Sequence, residues 1–441
     1  MISATRRVGR RPLAALSTFG LLAALLVGTP TVASAVHGMM HPAIGSRPHY
    51  TLAGRADTKP GVATFNCQLT TPAGCYGPAQ IRAAYGIDKL PATGAGRGIV
   101  IVDAFQSPTI GHDLAVFDQL FELPDPTLSI VAPDGLTPFD PNDGNMVGWS
   151  AEITLDVEWA HAIAPAAKIV LVLAKSNDDA DILSATRYAV DHNLGDVISQ
   201  SFGEAEQCMD PALQARQHAL FARATAKGIT LLASSGDQGV AQPTCDGKSF
   251  FAAASTPATD PYVTAVGGTI LDANGLTGAY HSETTWNEPD FASAGGGGFS
   301  VLYGTPAYQR SPRLPARGVP DVSYNAAIIG GVLAVWSGSG LGSDLVFRFG
   351  GTSAGSPQWA GLVALADQLG RHRIGALNGV LYATARVPSV YSRLFHDITT
   401  GDNTYHGDVE ISGFPAHRGW DAATGLGTPK ASTLVRLLAL T

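Results

Sequence analysis

Runs of consecutive apolar residues place the strongest constraint on the fold of this 441-residue chain. The runs are Ile99–Val102, Lys168–Leu173, Val197–Gln200, Ile229–Ala233 and Val263–Val266. Stretches with a helical pattern, about 179–193 and 210–227, lie between the later runs. Strands that are apolar on both faces are typical of a parallel sheet covered by helices on both sides. We therefore expect an α/β fold with a doubly wound, mainly parallel sheet, in a single large domain over residues 68–441.

The N-terminal residues have the pattern of an export signal. Residues 1–35 combine arginines, an apolar stretch over 13–27 and a cleavage site at Ala33-Ser34-Ala35, which together predict a signal peptide. Residues 36–67 lack apolar periodicity, so we expect a flexible leader there. An N-terminal membrane anchor is the alternative, but the apolar stretch is too short to favour it. We expect a secreted, extracellular protein without stable membrane association.

Charge and cysteine content narrow the possible partners. Charged residues make up 15% of the chain, the net charge is -8, and no basic run follows the N-terminus. We therefore expect no nucleic-acid partner, and we expect a monomer. Four cysteines allow three pairings. In an oxidising compartment we favour the local pairs Cys67–Cys75 and Cys208–Cys245, since no C-x-x-C spacing supports a zinc site.

A serine follows a pair of glycines near residue 350. Gly350-Gly351-Thr352-Ser353 predicts a sharp turn, and Pro357 is compatible with the first turn of a helix. A serine at a helix N-terminus lies where developing negative charge is favoured. It can be a nucleophile only if a neighbouring base takes its proton. The alternative is an N-cap serine without chemistry.

Two carboxylates offer a base in place of histidine. Glu152 and Asp156 are four residues apart in a helical segment, with Ser150 as a plausible cap, so they share one helix face. Two close carboxylates cannot both ionise cheaply, and one pKa rises. Glu152 is then a candidate general base that Asp156 holds in place. An exposed acidic turn is the alternative, and Glu158 lies on another face as a solvated or structural carboxylate.

A third acidic residue follows an apolar strand. Asp237 ends Ser235-Gly236-Asp237, where it could simply cap a turn. A protonated carboxyl group can also donate a hydrogen bond to a tetrahedral oxyanion. The backbone amide of Ser353 would supply a second donor to the same oxygen.

The ordered set of motifs resembles the sedolisins, the serine-carboxyl peptidases, over roughly residues 75–430. The matching segments are Glu152-x-x-x-Asp156, Ser235-Gly236-Asp237 and Gly351-Thr352-Ser353-Ala354-x-x-Pro357. The resemblance implies a subtilisin-like fold and action on protein or peptide substrates. It also implies Ser353 as nucleophile, Glu152 as base with Asp156 as partner, and Asp237 as oxyanion donor. Sedolisins usually carry a long prodomain, and only about thirty residues separate the signal peptide from the domain start, so we expect a member without it.

The resemblance also implies one structural calcium ion in C-terminal loops, at about residues 395–427. Calcium prefers oxygen ligands from carboxylates and backbone carbonyls. Asp397 and Asp421 would supply carboxylates. The carbonyl ligands would come from Ile398, His417 and Gly419.

Two other functions remain open. A subtilisin-type peptidase would use Asp103 and a histidine, but none of the histidines between Asp103 and Ser353 has the expected context. These histidines are His112, His161, His192, His218 and His281. The chain could also be an inactive peptidase scaffold that binds a partner. A carboxylate base further predicts an acidic pH optimum.

Overall fold

The computed structural model describes residues 48–56, 64–310 and 314–441. The predicted signal peptide and residues 36–47 and 57–63 of the predicted leader lie outside the described residues. The helices are α1 (Pro78–Ala84), α2 (Ile110–Phe121), α3 (Gly144–Ile163), α4 (Asp179–Asp191), α5 (Pro211–Ala226), α6 (Gly355–Gly370), α7 (Leu377–Ala385), α8 (Pro388–Leu394) and α9 (Ala431–Leu438).

An eight-stranded sheet forms the centre of the fold. Its strands are β3 (Gly98–Ala104), β4 (Thr127–Val131), β5 (Lys168–Ala174), β6 (Val197–Gln200), β8 (Thr230–Ser234), β12 (Val263–Ala273), β13 (Tyr280–Thr285) and β18 (Val322–Asn325). The order is β13-β12-β8-β6-β3-β5-β4, and β18 also pairs with β12. All of these pairs are parallel except β12 with β13. The predicted mainly parallel sheet is confirmed.

Helices cover both faces of this sheet, as expected. Along β3, Ile99 and Ile101 pack into the core that contains α3 and α6, whereas Val100 and Val102 pack into the core that contains α4 and α5. Successive strand side chains point to opposite faces, so both faces must be dry. The continuous apolar runs of the sequence follow from this double burial.

The fold also contains a second, four-stranded sheet. It has the order β1-β20-β19-β2, from β1 (His49–Arg55), β2 (Cys75–Tyr76), β19 (Gly331–Val335) and β20 (Leu345–Gly350). The remaining strands form short antiparallel pairs. These are β7 (Glu204–Ala205) with β11 (Ser255–Thr256), β9 (Ala241–Pro243) with β10 (Phe250–Ala252), β14 (Asn287–Glu288) with β15 (Ser293–Ala294), β16 (Gly298–Phe299) with β17 (Gly318–Val319), β21 (Phe395–His396) with β24 (Thr428–Pro429), and β22 (Tyr405–His406) with β23 (Glu410–Ile411).

Strand β1 corrects one prediction. Its residues fall within the predicted flexible leader, yet they pair with β20 from His49 opposite Gly350 to Arg55 opposite Leu345. The Tyr50 ring packs against Trp336, with 4.8 Å between the ring centroids. The prediction of flexibility is therefore wrong for residues 49–55, because backbone pairing with a distant strand orders them.

Helices α3 and α6 approach each other closely where α3 ends. A Cβ atom added to Gly361 of α6 would lie 2.6 Å from the Cβ of Ile163 in α3. Only glycine at this position allows the two helices to pack at this separation. The close contact fixes α3 relative to the helix that follows Ser353.

Both predicted disulfides are present. Cys67 bonds to Cys75, and Cys208 bonds to Cys245. Within the described ranges, no helix is both long and apolar enough to cross a membrane.

Candidate active site

The predicted nucleophile lies where β20 turns into α6. Gly351 has φ 130°, a conformation that favours glycine, and a short 3-10 turn over Thr352–Ala354 follows it. Helix α6 then begins at Gly355, so Pro357 lies in its first turn as predicted. Ser353 is only 6% exposed and lines a cleft of about 360 Å³. The turn thus presents a serine to a cleft at the start of a helix.

Helix α3 carries Glu152 and Asp156, the predicted general base and its carboxylate partner. It begins earlier than expected, because Asp143 caps it by accepting hydrogen bonds from the backbone amides of Asn145 and Met146. The predicted cap, Ser150, is instead buried within the helix, where its hydroxyl accepts a hydrogen bond from the Trp336 indole. Glu152 and Asp156 are fully buried one turn apart. The alternative of an exposed acidic turn is wrong.

A third carboxyl group joins this pair. Asp103, at the end of β3, is fully buried, and burial followed by the negative charge of Glu152 raises its pKa well above the ordinary value. Burial, followed by the charges of Asp103 and Glu152, also raises the pKa of Asp156. From the sequence, Asp103 is a candidate aspartate of the subtilisin-type alternative and one of the residues that follow apolar strands. Its position after an apolar strand was the available clue to its place beside the carboxyl pair.

Ser201 connects the carboxyl pair to the serine turn. Its hydroxyl donates to Oδ1 of Asp156 at 2.9 Å. It also lies 3.5 Å from the carbonyl oxygen of Ser353, while Ser353 Oγ lies 3.5 Å from the carbonyl oxygen of Ser201. Ser201 directly follows β6 and lines the same cleft. The end of this strand therefore bridges α3 and the predicted nucleophile.

Asp237 faces the serine turn from the loop after β8. Its Oδ1 accepts hydrogen bonds from the backbone amide and the hydroxyl of Thr352, at 2.8 and 2.7 Å. A Cβ atom on Gly351 would lie 2.6 Å from its Oδ2, so glycine is needed for this approach. Burial raises the pKa of Asp237, against the opposing effects of the Thr352 hydrogen bonds and of His49. The raised pKa favours the protonated form, which an oxyanion donor needs.

The histidines of the subtilisin-type alternative lie elsewhere. His161 is buried against Asp118, at 3.1 Å, and His218 pairs with Asp260 at 2.8 Å. His112 contacts Asp344, His192 stacks on Tyr188, and His281 lies 3.5 Å from Asp272. None of these five lines the cleft that contains Ser353. The described residues therefore do not support a histidine base from this set.

Glu158 has a structural position. It is fully buried, and its Oε2 accepts a hydrogen bond from the backbone amide of Val335 in β19 at 2.9 Å. Burial raises its pKa well above the ordinary value. This contact with β19 is consistent with the prediction that Glu158 is a structural carboxylate on a different helix face from Glu152 and Asp156.

The predicted calcium loops come together near the C-terminus. The backbone amide of Gly419 donates to Oδ1 of Asp397 at 3.0 Å, and the amide of His417 donates to Oδ2 of Asp421 at 2.9 Å. No group of three or more histidine, cysteine or acidic side chains suited to a metal ion occurs among the described residues. An ion held here by two carboxylates would therefore take its other ligands from backbone carbonyls, including that of Ile398. Such an all-oxygen set fits calcium in type.

Comparison with known proteins identifies the family. Residues 144–375 match the model of the Subtilase family. Over 411 aligned residues the chain is 34% identical to kumamolisin from Bacillus sp. (strain MN-32), covering 89% of this chain and 68% of that protein. The chain belongs to the sedolisin family. Its relatives are serine-carboxyl peptidases, and this protein is accordingly a serine-type peptidase.

Further sedolisin-family matches agree. The chain is 29% identical to xanthomonalisin from Xanthomonas sp. (strain T-22), covering 90% of this chain and 50% of that protein. The structure of Pseudomonas sedolisin, complexed with two molecules of pseudo-iodotyrostatin, superposes with a TM-score of 0.70 and 27% identity. The match covers 82% of this chain and 97% of the sedolisin chain. The predicted subtilisin-like fold is confirmed, although the chain spans only about two thirds of kumamolisin and half of xanthomonalisin.

Proposed function

We propose that this protein is a secreted endopeptidase that cleaves peptide bonds in acid through an acyl-enzyme on Ser353. One arrangement supports the proposal. Ser353 and Asp237 line the same cleft, and Ser201 connects the serine turn to the buried pair Glu152 and Asp156. A nucleophile, a base system and an oxyanion donor are thus available within one site.

The reaction begins with attack of Ser353 Oγ on the substrate carbonyl carbon. The hydroxyl proton passes to Glu152, and Asp156 holds the base and shares its proton. As the tetrahedral intermediate collapses, the C–N bond breaks and Glu152 returns the proton to the leaving amine. Water then attacks the ester, gives a proton to Glu152, and releases Ser353 with its hydroxyl proton restored.

The charge that develops on the carbonyl oxygen needs donors. Protonated Asp237 and the backbone amide of Ser353 supply them in this mechanism. Deprotonation of Asp237 would replace a donor with a negative charge, so activity falls as the pH rises above the pKa of that group. Burial raises the pKa of Asp237, so this group keeps its proton more readily in acid. Because the mechanism needs the protonated form, we expect an acidic optimum.

A calcium ion would stabilise the C-terminal loops. Asp397 and Asp421 would bind it through carboxylates, and Ile398, His417 and Gly419 would bind it through carbonyls. The ion would link two loops and take no part in the chemistry. Calcium should raise the melting temperature of chelator-treated protein, and Asp397→Asn should reduce that rise. The exposed Asp246→Asn variant is the control, and an equal rise in both variants would argue against this ligand set.

The proposal also includes secretion, a monomeric state and peptide substrates. Two disulfides favour an oxidising compartment. The predicted signal peptide would direct the chain there, without stable membrane association. We propose protein or peptide substrates, a monomer and no nucleic-acid partner.

The central test measures cleavage of a denatured protein from pH 3 to 8 by the wild type and three variants. Ser353→Ala should abolish cleavage, and Glu152→Gln and Asp237→Ala should reduce kcat by at least about a hundredfold. Ser199→Ala is a matched control, since its buried hydroxyl contacts Ser356 rather than the predicted machinery. Absence of Ser353-dependent cleavage at every pH would favour the inactive binding scaffold instead.

A further inference from the structure

Strand β1 brings a histidine to the cleft. His49 pairs with Gly350, three residues before Ser353, and its side chain lines the cleft together with Ser353 and Asp237. The position follows from strand register, because a residue opposite the end of β20 must lie beside the turn that β20 enters. A segment far from the site in sequence therefore contributes to its wall.

Side-chain packing fixes β1 along its length. The Tyr50 ring packs edge-on against Trp336 and Phe347, with centroid distances of 4.8 and 5.8 Å. At the other end, the backbone amide of Ala56 donates to the carbonyl oxygen of Asp344 at 2.8 Å. These contacts hold His49 in place on an ordered strand.

A hydrogen bond with Ser293 orients the His49 ring. The Ser293 hydroxyl lies 2.8 Å from Nε2 of His49 and 3.0 Å from the carbonyl oxygen of Phe291. This contact between the ring and Ser293 orients the His49 side chain within the cleft wall.

Charge in the cleft is sparse. The titratable side chains that line it are His49, Asp237 and Tyr405. Burial raises the pKa of Asp237, against the opposing effects of the Thr352 hydrogen bonds and of His49. Among the described residues, His49 is the one basic side chain that lines this cleft.

We propose that His49 is a specificity-determining residue that favours substrates with a carboxylate side chain close to the scissile bond. The inference rests on the proposed function of Ser353. A carboxylate that contacts the imidazolium inside a partly dry cleft gains attraction that an amide of the same shape does not. Lysine at that substrate position is disfavoured by like charge.

The test uses one peptide sequence with Glu, Gln or Lys placed in turn at each position around the cleaved bond, at pH 5. The wild type should cleave the Glu peptide at one position about three- to tenfold better in kcat/KM than the Gln peptide, mainly through KM. His49→Gln should bring this ratio to about one, and His49→Lys should restore a preference for Glu. His218→Gln, outside the cleft, should keep the wild-type ratio, and melting curves verify that each variant is folded.

A binding measurement separates this inference from the catalytic proposal. Ser353→Ala should bind the Glu peptide more tightly than the Gln peptide, and the added His49→Gln change should remove the difference. An unchanged Glu-to-Gln ratio in His49→Gln would overturn the inference even when Ser353-dependent cleavage is intact. N-terminal sequencing of active enzyme that starts after residue 49 but keeps the preference would overturn it as well.

Discussion

The backbone amide and the hydroxyl of Thr352 both donate to the same oxygen of Asp237, at 2.8 and 2.7 Å. Because both bonds converge on Oδ1, the other oxygen of the carboxyl group is left to carry the proton. Thr352 thereby orients Asp237 and limits how far its pKa rises, since hydrogen bonds to a carboxylate favour the charged form. Thr352 thus orients the proposed oxyanion donor and opposes the effect of burial on its pKa.

Thr352→Val should move the alkaline limb of the pH–activity profile to higher pH. Loss of the hydroxyl removes a bond that lowers the pKa of Asp237, so Asp237 keeps its proton at higher pH. We expect kcat/KM at the optimum to fall by no more than about tenfold, the typical effect of one hydrogen bond. Thr352→Ser retains the hydroxyl and should keep the wild-type profile. A limb that moves to lower pH would contradict this account of Asp237.

Ser201→Ala should move the acid limb of the pH–activity profile. The Ser201 hydroxyl lowers the pKa of Asp156, so its removal lets Asp156 hold a proton more tightly. The carboxyl pair must give up a proton before it can serve as a base, and the acid limb should therefore shift to higher pH. We expect kcat to fall about tenfold or more. Profiles of Ser201→Ala and Ser199→Ala measured side by side check this, and identical acid limbs would remove Ser201 from the base system.

Gly351→Ala should cost more activity than its backbone strain explains. The new Cβ would lie 2.6 Å from Oδ2 of Asp237, in addition to requiring φ 130°. We expect kcat/KM to fall by about a hundredfold or more, because the donor and the serine turn are forced apart. Gly340→Ala is the control, since Gly340 also has positive φ but nothing within 4 Å of an added Cβ. Equal losses in the two variants would show that steric contact with Asp237 is unimportant.

Glu204→Gln should protect the protein as the pH rises. Burial, followed by the charge of Asp179, raises the pKa of Glu204 from 4.5 to about 9. Above pH 4.5 the unfolded chain releases this proton while the folded chain keeps it, so the stability from this group is lost as the pH rises towards about 9. Glutamine cannot ionise and avoids that loss.

Melting temperatures from pH 4 to 9 measure the effect. We expect Glu204→Gln to match the wild type at pH 4 and to exceed it by at least about 2 °C at pH 8. The exposed Glu410→Gln variant should show a nearly constant difference across the range. A melting temperature for Glu204→Gln that falls as steeply as that of the wild type would contradict the prediction.

The sequence predicts the site where local rules apply. Helical spacing brings Glu152 and Asp156 to one face, and Asp237 follows an apolar strand, where a parallel sheet gathers functional groups. The approach of Asp103 to the carboxyl pair depends on which strand lies beneath α3, which spacing alone does not encode. His49 was missed because β1 is ordered by pairing with β20, about 300 residues away.

The close contact between Gly361 and Ile163 has a consequence for how activity is lost when the protein unfolds. It joins the helix that carries the carboxyl pair to the helix that follows Ser353, and both helices belong to the same buried core. The proposed base and the proposed nucleophile are therefore linked through one packed helix pair. Heat should therefore abolish activity and cooperative structure at the same temperature. Repacking mutations deep in that helix pair will register as loss of activity although they touch no substrate.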